Sequence, residues 1–172
     1  MSSHINIAVD AMGGDFGPPV TIPGLARALP HLLRKSDEVT FHVYGRESEI
    51  KAELVKIKGK LREHIKIHHT DDIVAPDEKP SSALRNRKTS SMALAIQAVK
   101  EGMADCVISA GNTGALMAMA KLALKPLPEI NRPAIASVFP TMKNPTLMLD
   151  LGANIQCSGA NLAQFAVLGA VY

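Results

Sequence analysis

The stretch Ser109-Ala110-Gly111-Asn112-Thr113-Gly114 separates two runs of different character. Residues 104–108, Ala-Asp-Cys-Val-Ile, read as a strand with Cys106 in a buried position. Residues 115–124 are apolar and read as a helix, stopped by Pro126. Small residues at such a junction let a backbone pass close to a ligand, and glycine permits the tight turn. Asn112 or Thr113 is placed to cap the helix. The first N–H groups of that helix then lack partners and carry the positive end of the helix dipole, which suits phosphate. Two readings follow: a tight strand-to-helix turn with a capping side chain, or a phosphate cradle.

The same arrangement recurs upstream. Residues 5–9 read as a buried strand ending at Asp10, followed by the loop Ala11-Met12-Gly13-Gly14-Asp15-Phe16-Gly17-Pro18-Pro19. Asp10 and Asp15 thus flank a glycine-rich loop at the carboxyl end of a strand, the edge where open α/β sheets bind ligands. An Asp there also serves as an ordinary turn or cap residue. Thr21 reads as the cap of a helix running to about residue 33, with Pro23 near its start. Residues 39–44 read as a second strand and residues 65–68 as a third. Between them, residues 47–58 form a helix with Ile50, Leu54 and Ile57 on one face. His64, His68 and His69 lack the ligand set and spacing of a metal site and read as surface or strand-end residues, so no metal is expected.

Residues 70–80 form a polar loop, and Arg85, Arg87 and Lys88 come next, just before Ser90 and Ser91. Those hydroxyls are placed to cap a helix over residues 92–101, ended by Gly102. Cations ahead of a helix start oppose its dipole unless an anion lies between them. The triplet is therefore either a solvated basic turn or a hint of a phosphate or acidic partner.

Downstream, Arg132-Pro133 opens an apolar run over residues 134–139, broken by Pro140. Residues 146–149 read as a strand ending in Asp150-Leu151-Gly152-Ala153-Asn154. Three strand-end loops now share one composition: Asp10 with Gly13 and Gly14, Ser109 with Gly111 to Gly114, and Asp150 with Gly152 and Asn154. If the strands are parallel, all three lie on one sheet edge. Residues 161–172 read as a helix with Leu162, Phe165, Ala166 and Gly169 on a shared face. Without a stop signal at its end, the chain reads as an incomplete part of something longer.

Composition narrows the functional classes. A chain of 172 residues fits one domain, and 47% apolar with 20% charged residues places it among globular proteins. Aromatic content of 3% and the lack of Trp argue against stacking on single-stranded nucleic acid. A net charge of +3 is too mild to argue for a polyanion partner. Two distant cysteines, Cys106 and Cys157, suggest reduced thiols in a cytosolic setting. The first residues lack the pattern of a signal peptide, and no apolar run is long enough to span a bilayer.

The run Ile7-Ala8-Val9-Asp10-Ala11-Met12-Gly13-Gly14-Asp15-Phe16-Gly17-Pro18 resembles the opening of the bacterial phosphate acyltransferases of phospholipid synthesis, the PlsX family. Residues 85–92, Val107-Ile108-Ser109-Ala110-Gly111-Asn112-Thr113-Gly114-Ala115-Leu116-Met117, and Leu149-Asp150-Leu151-Gly152-Ala153-Asn154 agree with it, as do Arg132-Pro133-Ala134 and Gln164-Phe165-Ala166. The motifs fall in the family's order over nearly the whole chain, residues 1–172, which matches the family's N-terminal half. Gln156 departs from the pattern, standing where the family commonly has an acidic residue.

The resemblance implies a three-layer α/β/α Rossmann-like sandwich with a mostly parallel sheet, similar to phosphotransacetylases and the isocitrate dehydrogenase-like group. It implies a cytoplasmic homodimer able to sit at the inner face of the membrane. The implied reaction moves a fatty acyl chain from acyl carrier protein to inorganic phosphate, and the acyl phosphate then feeds a glycerol-3-phosphate acyltransferase. No cofactor is implied. Phosphate is a competent nucleophile and a thiol with a pKa of about 8.5 a competent leaving group, so no Ser or Cys triad is needed. What remains is to position phosphate and to stabilise an oxyanion.

On that footing Ser109, Gly111, Asn112, Thr113 and Gly114 are expected to hold phosphate, with help from Arg85 or Lys88. Asn112, Asn154 and Arg85 are the candidate catalytic groups. Asp10, Gly13, Gly14, Asp15, Asp150 and Gly152 complete the expected substrate- and phosphate-binding set, with Asp10 and Asp150 orienting loops or donors, since carboxylates repel phosphate unless protonated or bridged. The basic face over residues 85–88 is a candidate dock for the acidic carrier protein. The acyl groove has no location in the sequence. Three alternatives stand beside this reading. One is an acyl-CoA or acetyl-CoA phosphate transferase of similar fold. Another is a nicotinamide-dependent dehydrogenase, although the first loop lacks the Gly-x-Gly-x-x-Gly spacing. The third is a non-catalytic phosphate-binding fragment.

Overall fold

Four short apolar runs build the central sheet. They are β1 (His4–Asp10), β2 (Glu38–Gly45), β3 (Ile65–His69) and β4 (Cys106–Ser109), all parallel, in the order β3-β2-β1-β4. The computed structural model describes residues 4–152, 154 and 156–172. Alternation along the strands divides the side chains between two faces. Ile7, Val9, Val39, Phe41 and Val43 pack with Ile22, Leu25 and Leu29 of α1 (Pro18–Leu32) and with Ile50 and Leu54 of α2 (Glu47–Lys56). On the other face, Ala8 and Tyr44 pack with Ala95 and Ala98 of α4 (Ser91–Lys100). Outside α4, Ala83 of α3 (Pro80–Asn86) and Ala115 and Met119 of α5 (Thr113–Leu124) join Met92 and Ile96 in a further cluster. Helices therefore cover both faces of a parallel sheet, the three-layer α/β/α Rossmann-like arrangement that the resemblance implies. Full burial of a side chain such as Phe41 or Ile22 stabilises the fold by about 1.5–3 kcal/mol.

The chain divides into two compact units, Met1–Leu124 and Lys125–Tyr172. In the second, β5 (Ala136–Phe139) pairs antiparallel with β6 (Thr146–Leu149), and α6 (Gly159–Val171) follows. Ser158 and Asn161 form a reciprocal capping box at the start of α6, and Gly169 lies against the Leu149 side chain.

Several sequence expectations are corrected. α1 starts at Pro18, not at a cap on Thr21. Pro18 and Pro19 occupy the first helical positions, where a missing N–H costs nothing, and the Thr21 hydroxyl instead donates to the carbonyls of Ala11 and Gly17. Residues 80–86 are a helix, not part of a basic turn, and Pro80 opens it. Cys106 is exposed because β4 is an edge strand of the four-stranded sheet. The strand before Asp150 is antiparallel and belongs to the second unit's sheet, so the Asp150 loop is not a third loop on the parallel sheet's edge. In α6 the buried residues are Asn161 and Phe165, while Leu162 and Ala166 are exposed. α2 ends at Lys56, with Ile57 already extended, and a short 3-10 helix over Lys60–His64 lies outside the predicted elements; the other helices and strands fall within a few residues of where the periodicity predicts them, and Gly102 ends α4 with φ at +72°. No helix among the described residues is long and apolar enough to cross a membrane.

Candidate functional site

Parallel pairing sets Asp10, at the end of β1, beside Ser109, at the end of β4. Asp10 is only 3% exposed, so its carboxyl oxygens need partners. They have them: the Ser91 hydroxyl donates to Oδ1 at 2.6 Å, the Ser109 hydroxyl donates to Oδ2 at 2.7 Å, and the Met12 amide donates to Oδ1 at 3.3 Å. Ser109 Oγ in turn accepts from the Gly111 amide at 3.1 Å. One buried side chain thus ties together the first loop, the start of α4 and the loop ahead of α5.

Close approach explains two glycines. A Cβ on Gly13 would lie 2.7 Å from the Gly111 nitrogen and 2.9 Å from Asp10 Oδ2. A Cβ on Gly114 would lie 2.9 Å from Cγ of Pro80. The first loop and the α5 start are therefore in backbone contact, with Gly14 turning at φ +86°.

Asn112 caps α5: its Oδ1 accepts from the Ala115 amide at 3.0 Å, and its carbonyl accepts the Leu116 amide. Its Nδ2 lies within 2.8–3.3 Å of the carbonyls of Glu78, Pro76 and Ala75. The side-chain amide is thereby committed to holding the loop over residues 75–78. The amides of Thr113 and Gly114 have no hydrogen-bond partner among the described residues. They border a cleft of about 360 Å³ lined by Gly14, Asp15, Pro76, Ala110, Gly111, Asn112, Thr113 and Gly114. Unpaired N–H groups at a helix start beside an open cleft are suited to an anion. The Asp15 carboxyl on the opposite lip opposes an anion and is exposed to solvent.

The loop over residues 70–80 is held by a second network. Arg87 donates to both carboxyl oxygens of Glu78 and to Asp72 Oδ1, and the Thr89 hydroxyl donates to Asp72 Oδ2. Burial works against ionisation of Glu78, but hydrogen bonds from Arg87 and Ser82 outweigh it and hold its pKa below the usual 4.5. Ser90 caps α4 by accepting from the Ala93 amide.

Of the residues singled out in sequence, Asp10, Gly13, Gly14, Asp15, Ser109, Gly111, Asn112, Thr113 and Gly114 come together here. Arg85 and Lys88 are exposed and do not line the cleft. In the second unit, Asn154 Nδ2 donates to Asp150 Oδ1 at 2.7 Å and to the Pro133 carbonyl at 3.2 Å. Cys157 Sγ donates to Asp150 Oδ2 at 3.2 Å. The hydrogen bond from Asn154, working against partial desolvation, holds the Asp150 pKa below its usual value. Asp150 sits at φ +63° and Gly152 at φ +80°, so this is a tight turn with its own internal bonds. Sequence reasoning placed Ser91 only as a cap, counted Arg87 only within the basic face over residues 85–88, and gave Asp72 and residues 75–78 no site role. Nothing in their spacing reveals contacts over 81 residues, although the acids Asp72 and Glu78 ahead of Arg87 are the signal that its ion pairs could have been read from. Among the described residues, no group of three or more His, Cys, Asp or Glu side chains is arranged to hold a metal.

Comparison with known proteins bears on this geometry. A family model described as "Fatty acid synthesis protein" matches residues 5–172. A phosphate acyltransferase of Rhodospirillum centenum is 51% identical over 172 residues, covering 100% of this chain and 47% of the relative. Those of Wolbachia pipientis subsp. Culex pipiens and Shewanella halifaxensis are 48% and 47% identical over 172 and 170 residues, covering 100% and 98% of this chain and 50% and 48% of the relatives. The chain spans about half the length of the curated relatives it matches.

Proposed function

Because the chain belongs to the fatty acid synthesis protein family, we propose that it carries the phosphate-handling part of a phosphate acyltransferase, one that moves a fatty acyl group from acyl carrier protein to inorganic phosphate. The observation that supports this most is the cleft at the start of α5, where the Thr113 and Gly114 amides are unpaired and the glycine loop after β1 leaves room for an anion. The names of the relatives agree with an acyl donor and phosphate as the reacting pair.

In this reading a phosphate oxygen attacks the thioester carbonyl carbon. The carbonyl oxygen becomes an oxyanion in the tetrahedral intermediate. The C–S bond then breaks, and the carrier leaves as a thiolate that takes a proton from solvent. The new C–O bond makes the acyl phosphate. The chain's own contribution is positioning and electrostatic stabilisation, both of which backbone N–H groups supply without reorganisation. Asn112 acts through the loops it holds, since its amide is already bonded to three carbonyls. Asp10 keeps Ser109 and Gly111 in register. Arg85 and Lys88, exposed near the α4 start, are the candidate cations for an acidic carrier protein or for phosphate. Asn154, with Asp150 and Gly152, supplies a second preorganised turn; its Nδ2 already donates to Asp150 and to the Pro133 carbonyl, so Asn154 acts by positioning that turn. A homodimer, a cytoplasmic location with access to the membrane's inner face, and delivery of the product to a glycerol-3-phosphate acyltransferase belong to the same proposal.

The test is acyl phosphate formation from acyl-(acyl carrier protein) and phosphate, trapped with hydroxylamine, with acyl-CoA in parallel. Phosphate-dependent product from the carrier-protein substrate is the expected result. Product from acyl-CoA alone would shift the reading to a CoA-dependent transferase, and no product from the intact protein would overturn the acyltransferase assignment.

A further inference from the structure

A second cavity, of about 380 Å³, lies between α3, α4 and α5. Leu84, Leu94, Ile96, Met119, Leu122 and Ala123 supply most of its wall. Its two polar residues are Gln97, whose amide bonds to Glu101, and Lys88, which forms no ion pair among the described residues. Leu122 is 65% exposed, so the groove opens to solvent. An apolar trough beside one unpaired cation complements an amphiphile with a hydrocarbon tail and an anionic head, and its volume lies in the range of small-molecule sites. A polar metabolite would leave its hydrogen-bonding groups unpaired against this wall. The groove also shares a helix with the anion cleft. Thr113 and Gly114 open α5 at the cleft, and Met119, Leu122 and Ala123 carry the same helix into the groove.

We propose that this groove takes the fatty acyl chain, with Lys88 at its rim, where it can also meet the carboxylate of a free fatty acid. The assignment rests on the acyltransferase reading for its substrate class, while the groove itself is tested by binding alone. The probes are hexadecanoate and octanoate below their micellar concentrations, titrated against the intact protein by calorimetry. Hexadecanoate is expected to bind at least tenfold more tightly, because the longer tail buries more apolar surface. Ala123→Phe fills the trough, and Leu122→Gln makes its exposed rim polar without touching the core. Each is expected to cut the hexadecanoate-to-octanoate ratio at least threefold. A ratio near one in the unsubstituted protein, or an unchanged ratio in both variants, would overturn the assignment. Hydroxylamine-trapped acyl phosphate, measured on the same samples, separates the two proposals. Product formation with an unaltered chain-length ratio defeats the groove alone. Selective hexadecanoate binding without product defeats the reaction and leaves the groove standing.

Discussion

Asp10 and Ser109 are 99 residues apart in sequence and directly paired across β1 and β4, with the Ser109 hydroxyl donating to Asp10 Oδ2 at 2.7 Å. The bond fixes the loop whose next residues open α5, because Ser109 Oγ also receives the Gly111 amide. Sheet register and site geometry are therefore one property in this chain.

Removing the carboxyl tests that link. Asp10→Ala leaves the Ser91 and Ser109 hydroxyls without their acceptor. A buried polar group without a partner costs about 1–3 kcal/mol. The urea midpoint is expected to fall accordingly, and the phosphate KM to rise. Ser109→Ala keeps Asp10 bonded to Ser91 and is expected to disturb phosphate use with a smaller loss of stability. Equal and unaltered phosphate KM values in both variants would remove the link between pairing and site.

Two glycines in one protein provide a paired test of packing. Gly13→Ala places a methyl group 2.7 Å from a backbone nitrogen, and overpacking of this kind costs about 1–3 kcal/mol. Gly24→Ala, inside α1, meets nothing within 4 Å. It is expected to stabilise by about 0.5–1 kcal/mol through helix propensity. Thermal unfolding of both variants reads the opposite signs directly.

Acid is expected to loosen the loop over residues 70–80. The folded loop favours ionised Glu78, so its tether to Arg87 is fully present above the ordinary value of 4.5 and is lost as pH falls through the lower folded value. Protection of the loop amides against hydrogen exchange, measured relative to the intrinsic rate at each pH, should fall over that acid range. Arg87→Ala should show low protection throughout, with the pH dependence flattened.

A histidine pair gives a dependence of the same sign at higher pH. Burial, reinforced by His68, Lys66 and His4, lowers the pKa of His42; burial and then Lys66 lower that of His68. The unfolded chain therefore binds protons first as pH falls below 6.5, and stability falls with it until the folded pKa values are passed. Stability from this pair is complete above 6.5. The urea midpoint should drop as pH is lowered from 7 to 5.5, and His42→Gln should reduce that slope.

The strands and helices around the sheet were legible because their apolar residues recur with the right period, and the loops after Asp10 and Ser109 because glycines mark them. α3 was not legible: its seven residues carry two hydroxyls and one cation with little apolar periodicity, and only tertiary packing of Ala83 against α4 and α5 makes it a helix. The direction of β6 was not legible either, since a four-residue apolar strand looks the same in a parallel sheet and a hairpin. Within the site, composition pointed to the Asn112 turn, but the side chain's commitment to three carbonyls over 34–37 residues depends on a loop path that no local pattern encodes.

The phosphate KM of Thr113→Pro tests the central claim most directly. Proline at the first helical position deletes one N–H and preserves the helix, since that N–H has no intrahelical partner. A hydrogen bond to a charged group contributes about 1.5–3 kcal/mol, so loss of the Thr113 amide is expected to raise the phosphate KM by about tenfold to a hundredfold, with the melting temperature unchanged. An unaltered phosphate KM in this folded variant would contradict the assignment of the α5 start as the phosphate cradle.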